Sequence, residues 1–120
     1  MATFATIPVK FAPKRKLIDF AMPKWRNKIG EFDSPDMLSW VSNLYQDKMF
    51  PTRSEFNLAY DERRCDWENR PMILAKEDLD ALEDENREGA FEDTIKPGVV
   101  TKFLEKARKA LENEKVVFVY

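Results

Sequence analysis

Two runs of strand-forming sequence stand near opposite ends of this chain, and together they constrain its fold more than anything between them. TFATIPVKFA alternates Ile7, Val9 and Phe11 with Thr6, Pro8 and Lys10, the period-two signature of a strand with one apolar face. The last six residues, KVVFVY, are dense in β-branched and aromatic side chains. A lone strand leaves its backbone donors and acceptors unpaired. Two such runs with helical sequence between them therefore predict an α+β domain in which the terminal strands pair. Pro8 has no N–H to donate, so the first run is expected to be an edge strand or to break there. KLIDFAM, with Ile18, Phe20 and Met22 on one face, reads as a second N-terminal strand able to form a hairpin with the first. A further short strand is placed around Lys28–Phe32.

Helical punctuation organises the middle of the chain. Ser34-Pro35-Asp36 is a helix start: an oxygen-bearing cap, proline at the first helical position, and an acid at the positive end of the dipole. Met37, Val41, Leu44, Tyr45 and Lys48 follow at helical spacing, Trp40 widens the apolar face, and Pro51 ends the run. Thr52 to Glu55 has capping-box spacing and opens a second helix with Phe56, Ala59, Tyr60, Arg63 and Trp67 on one stripe. Beyond Pro71, Met72, Ala75, Leu79 and Leu82 trace a narrow apolar seam on a third helix, which Gly89 is placed to cap. After Pro97-Gly98, a fourth helix carries Val100, Phe103, Leu104, Ala107 and Leu111 on its apolar face, with Lys102, Lys106 and Lys109 off it. The expected architecture is thus a single small α+β domain over residues 1–120. It has two N-terminal strands, about four helices, and a C-terminal strand pairing back to the N-terminal ones.

A chain of 120 residues, 43% hydrophobic, is large enough for one self-sufficient core. No apolar run approaches the ~20 residues that span a bilayer, and MATFATIPVKFAPKRK has no leader-like apolar region, so a soluble cytoplasmic protein with no membrane contact is expected. The absence of histidine is the strongest functional exclusion. It removes Ser-His and Cys-His catalysis and His-ligated metals. Cys65 is alone, which excludes an internal disulfide, and the three dispersed glycines (Gly30, Gly89, Gly98) exclude a Gly-rich phosphate loop. Catalysis would have to rest on carboxylates, lysine, tyrosine or a carboxylate-held magnesium. The two candidate clusters are Glu31, Asp33 and Asp36, and Asp61, Glu62 and Asp66. Capping and a solvated helix face account for most of these acids. The expectation is a non-enzymatic protein with no catalytic residue, cofactor or metal; a carboxylate-dependent metalloenzyme is the third reading.

Charge is segregated along the chain. Residues 1–30 carry +6, residues 31–76 carry -3, residues 77–93 carry -8 and residues 94–120 carry +3. Within KEDLDALEDENREG the acids sit off the apolar seam, as a solvated helix requires. An ordinary solvated helix, however, places a base four residues after an acid, and only Glu83–Arg87 does so here. Asp80, Glu83, Asp84 and Glu88 are accordingly the candidate contact residues for the basic surface of a larger protein or complex. Nucleic-acid-processing or host-defence machinery, met by a small inhibitor of viral or mobile-element type, fits this pattern. The alternative is nucleic-acid binding through Lys14, Arg15, Lys16, Lys24, Trp25, Arg26 and Lys28, where bases and rings interleave. A pI of 5.3 weighs against it. Whether the basic N-terminal segment or another molecule neutralises the acidic helix is left open by the sequence.

Overall fold

The end strands meet in the middle of a four-stranded antiparallel sheet. In the computed structural model, which describes residues 1–11 (the last by its backbone only) and 24–120, β1 spans Ala2–Pro8 and β2 spans Asn27–Phe32. Helices α1 (Pro35–Met49) and α2 (Arg53–Asp61) precede β3 (Met72–Leu74). Helices α3 (Lys76–Arg87) and α4 (Val99–Glu112) then lead to β4 (Lys115–Val119). The sheet order is β2-β1-β4-β3. β1 and β4 pair from Phe4↔Val119 to Pro8↔Lys115. Reciprocal bonds between Thr3 and Tyr120, at 3.0 and 2.9 Å, extend the ladder by one step.

Period-two alternation in the strands splits the sheet into two faces. Ala2, Phe4, Met72, Leu74, Val117 and Val119 face the helices and join the main core. Ala5, Ile7 and Phe118 form a smaller buried cluster flanked by Ile73, Val116 and Tyr120. The helices close the main core with Met37, Val41 and Tyr45 from α1, Leu79 and Leu82 from α3, and Val100, Phe103, Leu104 and Ala107 from α4. Among the described residues no helix is long and apolar enough to cross a membrane.

Five local expectations need correction or placing. β1 is central, and Pro8 is tolerated because it is the strand's last residue, two beyond the end of pairing with β2 at Thr6↔Asn27. Val9 then enters a single 3-10 turn and is exposed, so it does not continue the Ile7 face. Met72 lies in strand β3, opposite Val119, and helix α3 begins only after Ala75. Asp78 caps that start by accepting the Ala75 N–H at 2.7 Å. Helix α2 stops at Asp61, where the left-handed Arg63 (φ 56°) turns the chain. Trp67 is buried from the following loop, with its indole N–H donated to the Arg70 carbonyl at 2.9 Å. The expected strand at Ile18, Phe20 and Met22 lies outside the described residues.

Candidate functional site

The acidic residues of α3 divide into compensated and uncompensated groups. Arg108 of α4 reaches across to Asp80 at 2.8 Å and to Glu83 at 2.6 Å. The Asp80 hydrogen bond is the main reason its guanidinium is raised above the ordinary arginine value, with Glu83 adding to it. Arg87 approaches Glu83 at 3.3 Å and Asp84 at 3.6 Å, and Lys76 lies 3.8 Å from Asp80. Asp78 pairs with Lys48 of α1, whose ammonium also donates to the Ile73 carbonyl at 2.9 Å. Much of the positive charge met by this helix therefore comes from α4, α1 and α3 itself. Of the four acids singled out by sequence, Asp80, Glu83 and Asp84 hold ion pairs within the chain, and Glu88 is exposed at the helix end.

Between α1 and α3 lies a groove of about 380 Å³ whose acids hold no ion pair among the described residues. Asp36, Trp40, Leu44 and Asp47 recur every three or four residues, a stripe of α1 beside the buried Met37, Val41 and Tyr45. Helix α3 contributes Ala81 and Glu85, one turn apart, next to the buried Leu82. Gly89, with φ at +83°, takes the left-handed position after the helix end and turns the chain so that Phe91 comes back under the groove. The result is an apolar floor of Trp40, Leu44, Ala81 and Phe91 inside a rim of Asp36, Asp47 and Glu85 with the neutral Ser39 and Asn43, and among the described residues no lysine or arginine lines it.

The rim is anchored at one end by a hydroxyl relay. Ser34, 2% exposed, caps α1 by accepting the Met37 N–H at 3.2 Å. The Thr94 hydroxyl donates to Asp36 Oδ2 at 2.7 Å, so the Ser34 hydroxyl is the donor in its own 2.7 Å contact with Thr94. This chain of hydroxyls ties the loop after α3 to the N-terminus of α1 and holds Asp36 at the groove. Asp47 and Glu85 have no ion-pair partner among the described residues.

The basic candidates among the described residues lie at and just before β2. Lys14, Arg15 and Lys16 lie outside the described residues. Lys24 and Trp25 occupy an exposed turn before β2. Arg26 donates Nε–H to the Tyr120 hydroxyl at 2.7 Å and sits over that ring, 4.7 Å from its centroid. Lys28 pairs with Glu31 at 2.8 Å, an interaction that raises its ammonium above the ordinary lysine value. Among the described residues no three acidic or thiol side chains converge as a metal ion would require. Cys65 is buried. The chain matches no known protein family, curated protein or solved structure.

Proposed function

We propose that the protein is a non-enzymatic interaction protein that binds a larger partner by seating a cationic, amphipathic segment of it in the α1–α3 groove. The observation that carries this reading is an apolar floor in one concave surface whose charged lining residues, among those described, are all acidic. Trp40 and Leu44 would take the apolar side chains of such a segment. Asp36, Asp47 and Glu85 would meet its lysines or arginines and give the encounter its charge selectivity. The reading keeps an acidic surface as the contact and moves it from the Asp80–Glu83–Asp84 face, where chain-internal bases already sit, to the next side of α3. The lack of any histidine and the burial of Cys65 support the non-enzymatic part.

The test is a designed helical peptide of leucine and lysine at i, i+3 and i+4 spacing, titrated while the Trp40 indole resonance is followed. Binding should shift that resonance. It should weaken about tenfold or more in Asp47→Lys/Glu85→Lys, and fall further as salt is raised. Asp80→Lys/Asp84→Lys, which changes charge equally on the neighbouring face, should have a much smaller effect. Affinity indifferent to the groove reversal, or lost equally in both double variants, would sink the proposal.

A further inference from the structure

A second concave site lies at the junction of β2, the C-terminal half of α4 and the start of β4. Here the polarity is reversed. Lys28, Lys106, Lys109 and Lys115 line a recess of about 320 Å³, together with the amide side chains of Asn27 and Asn113. That volume is at the lower end of the ~300–1,000 Å³ range of small-ligand sites.

Three features of the fold bring these groups together. Lys106 and Lys109 of α4 and its C-cap residue Asn113 follow each other at three and four residues, beside the buried Phe103–Ala107 face. The β1–β2 ladder slips from Phe4↔Gly30 to Ala5↔Lys28, a bulge that inserts Ile29 as an extra residue. Because of the bulge, Asn27, opposite Thr6, and Gly30 both face α4 with Ile29 packed between them, while Lys28, opposite Ala5, turns its ammonium to Glu31 on the other face and only borders the recess. Lys115 arrives from the first residue of β4. Lys109 also suits the negative end of the α4 dipole, but that cannot explain a further lysine supplied by the start of β4. Lys28 has Glu31 as a partner, whereas Lys106, Lys109 and Lys115 have no ion-pair partner among the described residues. Like charges gathered around one hollow repel, and a bound polyanion removes that repulsion.

We propose that this recess binds phosphate groups, with Lys106, Lys109 and Lys115 neutralising them and Asn27 and Asn113 donating amide hydrogens. The phosphates belong either to a free oligophosphate or to a nucleic-acid backbone crossing the recess, and lysine recognises both as a point charge. This site is separate from the acidic groove and does not depend on it.

Two probes distinguish the sources: inorganic tripolyphosphate, and a labelled single-stranded oligonucleotide, each titrated at low salt. Wild-type protein should bind at least one. Lys106→Gln/Lys109→Gln should weaken that binding about tenfold or more, with a shallower salt slope for the oligonucleotide. Lys96→Gln/Lys102→Gln removes the same charge outside the recess and should leave affinity within about twofold of wild type. Binding of tripolyphosphate alone assigns a small phosphorylated ligand, and binding of the oligonucleotide assigns a backbone. No binding of either probe, or equal losses in the two double variants, would overturn the site.

Discussion

Gly30 packs close against α4, and the reason is aromatic. A Cβ placed there would stand 2.8 Å from Cδ2 of Phe103 and 3.3 Å from Cε2 of Phe32. Both rings are buried and packed on each other and on Phe4, with centroids 5.6, 5.7 and 4.6 Å apart. Neither ring has an easy direction in which to retreat. Gly30→Ala should therefore lower stability by about 1–3 kcal/mol in urea unfolding; an unchanged midpoint would mean that the cluster yields. Gly98 gives the contrasting case. Its Cβ position is open, but φ is +84°, so Gly98→Ala should cost about 1–2 kcal/mol through backbone strain alone. Ser34→Ala removes both the α1 cap and the donor to Thr94, for an expected loss of about 1–2 kcal/mol.

Ion pairs join the helices with unequal strength. Lys48 and Asp78 link α1 to α3, and Lys48 also reaches β3, with side chains only 13% and 12% exposed. Replacing Lys48 with methionine leaves the Asp78 carboxylate largely desolvated and without its cation, so a loss of about 3 kcal/mol is expected in urea unfolding. Arg108→Gln cuts two contacts between α4 and α3, but these are more open to water. A loss of about 1 kcal/mol, shrinking as salt is added, is expected there. Helix α2 is the least anchored of the described α-helices: Ala59 is its sole buried residue, while Leu58 and Tyr60 are 55% and 65% exposed. Its amides should exchange with deuterium well before those of α4, by native-state exchange; equal protection would contradict this picture.

At the scale of the whole molecule, the central pair of strands comes from opposite ends of the described chain. β1 has β2 and β4 as neighbours, and among the described residues β3 pairs with β4 alone. Deleting residues 115–120 should therefore leave β3 with no partner and β1 with an open edge, and abolish the cooperative thermal transition. Retention of that transition would show that the helices and the β1–β2 pair suffice. The charges are segregated in space as well as in sequence. The acidic groove lies between α1 and α3, and the lysine recess lies where β2, α4 and β4 meet.

Local periodicity and end signals carried the sequence a long way. The apolar face of α4, the Ser34-Pro35 start of α1 and the pairing of the end strands were all legible in it. Each depends on residues close together in the chain, or on a strand's need for a partner. Tertiary structure decided the rest. Met72, Ile73 and Leu74 make a strand of three residues, too short for a period to declare itself, and Met72 happens to continue the helical spacing of Leu79 and Leu82. What makes it a strand is the free edge of β4. The fate of the acids was equally hidden, because Arg108 is 25 residues from Glu83 and was invisible as its partner. Sequence alone established that positive and negative charge were unequally distributed. Only the packing of α3 against α4 and α1 decided which acids were neutralised within the chain. The same packing left Asp47 and Glu85 facing an apolar groove with no cation paired to them among the described residues.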